Sequence, residues 1–262
     1  MTSEAQRNLA ASLSAAYQTR EPIDPPSKEP GGLSVEDAYE VQRLQVEEWV
    51  GSGRVVRGHK VGLTSVAMQA MMGVDQPDYG HLMDDMFYPE GSPVPLGTFL
   101  QPRVEPEVAL VLGRSLAGPG VTVVDALRAV DLVLPALELI DSRVRDWQIG
   151  LADTIADNAS SGGVVLGSRA LQPDSVDLRL IGVNLYRNGS LEATGAGGAA
   201  LGSPVVALAW LANTLGSLGV VLEEGEVVLP GSCTKALTVA PGDVVTANFG
   251  GLGSVTAVFG RE

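Results

Sequence analysis

Apolar residues recur along this chain with two periods, and the change of period organises it. Over residues 3–17, Leu9, Leu13 and Ala16 fall on one face of a helix. Residues 21–27, with Pro22, Pro25 and Pro26, read as a proline-stiffened connector. Ser34 with Asp37 three positions on has the form of a helix-capping box, and Val35, Ala38, Tyr39, Val46 and Trp49 mark the face of a helix ending near Gly51-Ser52-Gly53. Residues 55–64 predict a short strand, 65–72 a Met-rich helical turn and 73–80 a polar loop. From Gly97 onward short Val-rich runs predict strands, interrupted by a Thr122-capped helix over 122–130 and a second capped helix over 203–218. A polar loop is expected at 153–163, a hairpin over 181–194 turning at Asn188-Gly189, and further turns at Pro241-Gly242-Asp243 and Gly250-Gly251. The pattern predicts a β-rich α+β protein, with residues 1–92 as an N-terminal accessory α/β region and 93–262 as the strand-dominated domain.

Composition narrows the function classes. With 262 residues, 45% hydrophobic and 18% charged, the chain is long enough to bury a substantial core. A net charge of -14 without any basic cluster argues against nucleic acid as a partner. The first residues lack the apolar core of a signal peptide and no run approaches the length of a bilayer span, so no membrane role is expected. The single cysteine, Cys233, excludes an internal disulfide and fits a reducing cytoplasm.

The chemistry concentrates in Arg103-Val104-Glu105-Pro106-Glu107-Val108. In a strand Glu105 and Glu107 project from the same face, where two like charges repel unless a cation or hydrogen-bond donors hold them. Glu138, alone inside the apolar run Leu132–Ile140, is costly there unless paired, which makes it a natural third ligand. Three carboxylates without Cys or His suit a hard cation, Mg²⁺ or Mn²⁺, rather than zinc. The spacing alone equally fits two solvated residues on a half-exposed strand. Gly58 and Gly62 flank Lys60 and would let backbone or ligand approach it.

Other patterns carry less. Gly195-Ala196-Gly197-Gly198-Ala199-Ala200 fits a dinucleotide-binding glycine pattern with Glu223 or Glu224 downstream, but the preceding strand belongs to a hairpin rather than a βαβ unit. Residues 53–60 resemble a phosphate loop only superficially, His59 standing where the lysine belongs. Cys233 with His59 or His81 reads as a buried cysteine rather than a nucleophile pair, and Asp153 and Asp157 as loop-end caps rather than ligands.

Taken in order, Leu33-Ser34-Val35-Glu36-Asp37-Ala38-Tyr39, Gly58-His59-Lys60-Val61-Gly62-Leu63-Thr64-Ser65, Gly73-Val74-Asp75-Gln76-Pro77-Asp78-Tyr79-Gly80, Val104-Glu105-Pro106-Glu107, Leu137-Glu138-Leu139-Ile140-Asp141-Ser142-Arg143 and Gly231-Ser232-Cys233-Thr234-Lys235 resemble the hydratase and decarboxylase branch of the fumarylacetoacetate hydrolase superfamily. The resemblance implies a C-terminal mixed β-roll, a smaller N-terminal region, and Mg²⁺ or Mn²⁺ held by Glu105, Glu107 and Glu138. It implies catalytic roles for Lys60 and Asp78 and a pocket-lining place for Ser161. The activity implied is hydration of a 2-hydroxy-2,4-dienoate in aromatic or steroid catabolism, with decarboxylation of 2-oxo-3-hexenedioate as the alternative. Assembly into a homo-oligomer, a pentamer or decamer, is implied too, with a downstream aldolase or a paralogous decarboxylase as further partners. His59 departs from the arginine or bulky residue expected there.

Overall fold

The computed structural model describes residues 1–66, 69–70 and 73–261. The expected turn over 65–72 therefore lies in large part outside the described residues. In chain order the elements are helices α1 (Ser3–Thr19) and α2 (Val35–Gly51), then strands β1 (Val56–Gly62), β2 (Asp78–Met83), β3 (Phe87–Pro89), β4 (Pro93–Val94) and β5 (Arg103–Leu112). They continue with α3 (Val123–Ala129), β6 (Val130–Ile140), α4 (Leu151–Ala156), β7 (Ser161–Leu166), β8 (Gly182–Arg187), β9 (Ser190–Ala196) and α5 (Pro204–Ser217). Strands β10 (Val227–Leu229), β11 (Leu237–Thr238), β12 (Val244–Phe249) and β13 (Gly253–Phe259) complete the chain. The class is α+β, as the sequence predicts.

Local signals act where they were expected. The Ser34 hydroxyl accepts the Asp37 amide at 3.1 Å and Thr122 accepts that of Asp125 at 3.2 Å, each satisfying a helix-start donor. The hairpin of β8 and β9 turns at Asn188 and Gly189, both in the left-handed region. Several expectations need correction. Residues 153–163 are not a loop: α4 reaches into them, a 3₁₀ turn covers Asn158–Ser160, and β7 begins at Ser161. Asp153 makes this possible by taking the Gly150 amide at 2.8 Å and the Ser27 amide and hydroxyl, so that a polar stretch is satisfied internally. The second correction is at α5, where Ser203 makes no capping bond and Pro204 in the first turn starts the helix instead. By length and hydropathy Gly197–Ser217 also reaches a bilayer span, contrary to the expectation that no run does; half of its most apolar window is buried, as befits a core helix.

Two sheets make the body. One runs β2-β1-β10-β5-β6-β7-β3, with β11 also on β5; the other runs β4-β13-β12-β8-β9. The first is mixed: β1 lies parallel to β10 and β3 to β7, while β5, β6 and β7 are antiparallel. Backbone pairing runs across residue 92, because β1, β2 and β3 belong to the same sheet as β5 to β7. The main core, including Val108, Leu110, Leu137, Leu139, Val255 and Phe259, lies between the sheets and under α5. A second core joins Leu13 of α1, Val41 of α2 and Ile155 of α4.

Helix α2 is fastened by polar groups on its buried side. Gln42 Nε2 donates to the carbonyls of Tyr79 and Ile155 at 2.9 Å each, and Gln45 Nε2 donates to that of Ala156 at 2.7 Å. These amides donate to backbone carbonyls on the buried side and tie β2 and α4 to one helix.

Candidate active site

Strand alternation and register bring the carboxylates together. Glu105 and Glu107 share a face of β5, and Glu138 of β6 stands directly across from Glu105. An oxygen from each can be chosen such that all lie within 4.8 Å of one another, the one such acidic or His/Cys grouping among the described residues. Glu107 and Glu138 are each only 1% exposed, so the solvated-strand alternative does not hold for them; Glu105 is half-buried and forms the open side. The Gly231 amide donates to Glu107 Oε2 at 2.8 Å. The other Glu107 oxygen and both Glu138 oxygens are buried without a hydrogen-bond donor.

Such orphaned carboxylate oxygens are expensive unless protonated or bound to a cation. Burial, then the neighbouring Glu138, push the Glu105 carboxyl up to about 7, against the pull of Lys60 and Arg103. Burial and the two other glutamates raise Glu107 well above the ordinary carboxylate range, and burial raises Glu138 despite Lys60. The donor set is all oxygen, compact and undersatisfied, which fits a hard divalent cation.

Lys60 reaches the cluster from β1. Its Nζ donates to the Ala159 carbonyl at 2.9 Å and lies 3.4 Å from Glu138 Oε1, an ion-pair contact. Burial disfavours its charge, but Glu138 first, then Asp78, Glu105 and Glu107, outweigh this and hold Lys60 protonated. Asp78, at the start of β2, pairs across from Gly62. A Cβ on Gly62 would stand 2.1 Å from Asp78 Oδ1 and 3.2 Å from Lys60 Nζ, so only glycine leaves room for this pair. Burial raises the Asp78 carboxyl, while Lys60 and the Thr154 hydroxyl act the other way.

The wall beyond Lys60 is the turn Asn158–Ser160. All three residues are left-handed, at φ near 52°, 51° and 53°, a conformation costing L-residues about 1 kcal/mol or more apiece. The surroundings enforce it. Asn158 brackets His81, accepting its amide at 2.8 Å and donating to its carbonyl at 2.9 Å. Arg143, fully buried, donates to the Asp157 carboxylate and carbonyl and to the Ser161 carbonyl while lying 4.1 Å over the Tyr17 ring. The Ser161 hydroxyl points toward Met86 Sδ at 3.9 Å, whereas the Ser160 hydroxyl contacts that of Thr154 at 3.3 Å, on the Asp78 side. Thr154, Ser160 and the Ala159 carbonyl, unlike Ser161, carry no signal in the sequence; their proximity depends on the left-handed turn, which no local pattern announces. Asp157, taken for a loop cap, pairs with buried Arg143.

His59 and His81 lie on the opposite face of β1 and β2 from Lys60, their rings 4.9 Å apart. Cys233 is buried and its thiol is pushed up to about 12, principally by burial, with Glu107 and Glu105 adding, which is the chemistry of a packing residue rather than a nucleophile.

Known proteins resemble this chain over nearly its whole length. The chain is 44% identical over 259 residues, 99% of its length and 96% of the relative's, to 2-keto-4-pentenoate hydratase of Paraburkholderia xenovorans strain LB400. It is 43% identical over 257 residues, 96% of either chain, to 2-oxo-hept-4-ene-1,7-dioate hydratase of Escherichia coli. Among solved structures, 4-oxalocrotonate decarboxylase from Pseudomonas putida G7, complexed with magnesium and adipate, superposes with a TM-score of 0.95 at 37% identity, covering 99% of this chain and 98% of that one. The fumarylacetoacetate (FAA) hydrolase C-terminal family model matches residues 50–259, and with full-length relatives at this identity the chain belongs to that family.

Proposed function

We propose that the protein is a metal-dependent hydratase of 2-hydroxy-2,4-dienoates, acting on 2-hydroxypenta-2,4-dienoate or a longer homologue in the breakdown of aromatic or steroid compounds. The observation that carries this reading is the compact trio of undersatisfied glutamates beside a buried, protonated lysine, in a chain 44% identical to a named 2-keto-4-pentenoate hydratase. Glu105, Glu107 and Glu138 would hold Mg²⁺ or Mn²⁺. When bound, the ion supplies Lewis acidity toward the C1 carboxylate and 2-oxygen and a charge that offsets the glutamates' upward pull on Lys60.

The chain's own groups then account for the proton traffic. Ketonisation removes the 2-hydroxyl proton and delivers one to C5, and Lys60 is the group placed to move it. In hydration the oxygen of water bonds to C4 while C3 gains a proton, and Asp78 orients or deprotonates that water. Ser160 and Ser161 form the adjoining wall, with the Ser160 hydroxyl against that of Thr154. In this reading residues 93–262 carry the glutamates and residues 1–92 contribute Lys60 and Asp78.

Decarboxylation of 2-oxo-3-hexenedioate is the second reading, favoured by the 37% identity to 4-oxalocrotonate decarboxylase. Offering each substrate separates them: we expect loss of dienoate absorbance with formation of a 4-hydroxy-2-oxo acid and no CO₂ release. CO₂ evolved stoichiometrically from the enedioate, with the dienoate untouched, would overturn the hydratase assignment.

Proton competition yields a second expectation. Glu105 titrates near 7 when folded, above its value in the unfolded chain, so the metal-free fold is most stable below about pH 4.5 on this account and loses stability as pH rises through about 7. A cation needs the deprotonated form, so the rise in Tm on adding Mg²⁺ or Mn²⁺ should be larger at about pH 8 than at about pH 5.5. Scanning calorimetry with and without the ion at both pH values measures this; an equal shift would argue against binding by these carboxylates.

Self-association is part of the same proposal. Val123, Val124 and Leu127 of α3, with Leu218, Val220 and Val221 after α5, are large apolar residues left exposed, a surface suited to a homo-oligomer such as a pentamer or decamer. The buried free thiol of Cys233 suits a reducing, cytoplasmic setting.

A further inference from the structure

We infer that Arg143 is a positioning residue for Lys60, acting through the left-handed turn Asn158–Ser160; this rests on the hydratase reading above. Arg143 is fully buried and takes no part in the chemistry proposed for the site. Its guanidinium instead holds both ends of the turn. Nε donates to the Asp157 carboxylate, Nη2 to the Asp157 carbonyl at 2.9 Å and Nη1 to the Ser161 carbonyl at 3.1 Å, while the Arg143 backbone amide takes the other Asp157 carboxylate oxygen at 2.9 Å. Between these ends the Asn158 carbonyl accepts the Ser161 amide and the Ser160 carbonyl accepts the Asp141 amide at 2.9 Å. The Ala159 carbonyl is the one presented to Lys60 Nζ.

A turn of this kind needs such a clamp. Three successive L-residues in the left-handed region, with no glycine among them, form a conformation that the chain leaves when nothing holds it. The turn is also pressed close to β2 beside the lysine, since Gly80 is the register partner of Lys60 and a Cβ there would stand 2.3 Å from the Asn158 carbonyl oxygen. Arg143 is itself backed from two sides. The Tyr17 ring of α1 lies 4.1 Å beneath the guanidinium and meets Trp49 of α2 edge-on at 5.6 Å, and Asp141, fixed by the amides of Leu100 and Gln101, stands 3.7 Å from Nη1. Helix α1 thus reaches the site through this one side chain.

The consequence for Lys60 follows from its donor count. Of the three N–H bonds of an ammonium, one goes to the Ala159 carbonyl and a second faces Glu138, which leaves the third to exchange with substrate. Once that proton has moved, the ionic attraction to Glu138 is gone. The neutral amine still donates to the Ala159 carbonyl, so the turn keeps Nζ in place through the half of the cycle in which charge no longer does.

The test measures kcat and KM for 2-hydroxypenta-2,4-dienoate on the Mg²⁺-loaded protein, and amide hydrogen exchange over residues 157–162 of the metal-free protein by mass spectrometry. Arg143→Lys keeps the charge but cannot reach Asp157 and the Ser161 carbonyl together. Its kcat should fall about 10- to 100-fold with KM within about twofold, and exchange over 157–162 should quicken about tenfold or more while β5 stays protected. In an Ala159→Gly background the kcat loss from Arg143→Lys should shrink about three- to tenfold, because glycine adopts the left-handed conformation without the penalty. A residue that only stabilised the fold would show no such rescue. Tyr17→Leu, which removes the ring beneath the guanidinium, should lower kcat in the same sense and keeps the test decisive if Arg143→Lys folds poorly. If both variants retain wild-type kcat, or if KM rises with kcat unchanged, the Arg143 assignment fails while the hydratase reading stands. Exchange over 157–162 unaltered by either variant removes the clamp whatever the activity. A wild type that leaves the dienoate unconsumed removes the hydratase reading, and the exchange comparison then decides separately whether Arg143 holds the turn.

Discussion

Glu107→Gln should cost about a thousandfold or more in hydratase turnover while leaving the metal-free protein at least as stable as the wild type. The two effects share a cause. Glu107 is buried against Glu105 and Glu138, with a single donor, the Gly231 amide, for its two oxygens. Glutamine keeps the volume and an acceptor for Gly231 but removes a charge whose burial and repulsion disfavour the fold. It also removes a ligand from a three-carboxylate site, and Lewis-acid stabilisation worth several kcal/mol corresponds to about a thousandfold or more in rate. Turnover of the dienoate, with calorimetric Tm measured with and without Mg²⁺, separates the two. The variant should show little ion-dependent rise in Tm; wild-type turnover with an undiminished ion response would remove Glu107 from the metal site. Chelator treatment of the wild type should mimic the activity loss reversibly, with Mg²⁺ or Mn²⁺ restoring it.

Lys60→Met should lower kcat by about a hundred- to ten-thousandfold, the range associated with a positioned acid or base. The accompanying signature is opposite to that of Glu107→Gln. Lys60 is the nearest positive charge to Glu138 and offsets part of its burial, so its loss leaves buried carboxylates uncompensated and the metal-free protein less stable above about pH 5. It also removes a positive charge from the ion's neighbourhood, so Mg²⁺ or Mn²⁺ should bind no more weakly than before. Turnover by stopped-flow absorbance, with solvent deuterium incorporation into the product, reports the proton-transfer role. A variant that ketonises and hydrates the dienoate at the wild-type rate would show that Lys60 only balances charge.

Much of the candidate site was legible because its signals are local. Strand alternation puts Glu105 and Glu107 on one face whatever the rest of the chain does, and a lone Glu138 in an apolar run demands a partner wherever that strand lies. The glycines around Lys60 were readable as sites of close approach, and Gly62 leaves the space that Asp78 fills. The helix caps at Ser34 and Thr122 and the Asn188-Gly189 turn were equally local. Gln42 and Gln45 were not legible as buried residues, since amides on a helix ordinarily face solvent and these are held inside only by carbonyls of β2 and α4.

By itself the sequence determined the main helix caps and the hairpin turn, which residues share a strand face, and that the acidic face needs a counter-charge, because each of these follows from short-range backbone geometry and the cost of buried charge. Only the tertiary structure decided that β1 lies parallel to β10, two strands from the glutamates, and that the left-handed turn Asn158–Ser160 presents a carbonyl to Lys60. It also turned residues 153–163 from an apparent loop into a helix and a wall of the site. These features rest on contacts between segments remote in the chain, Arg143 with Asp157 and Asn158 with His81 among them, whose energy exists only once the sheets have assembled.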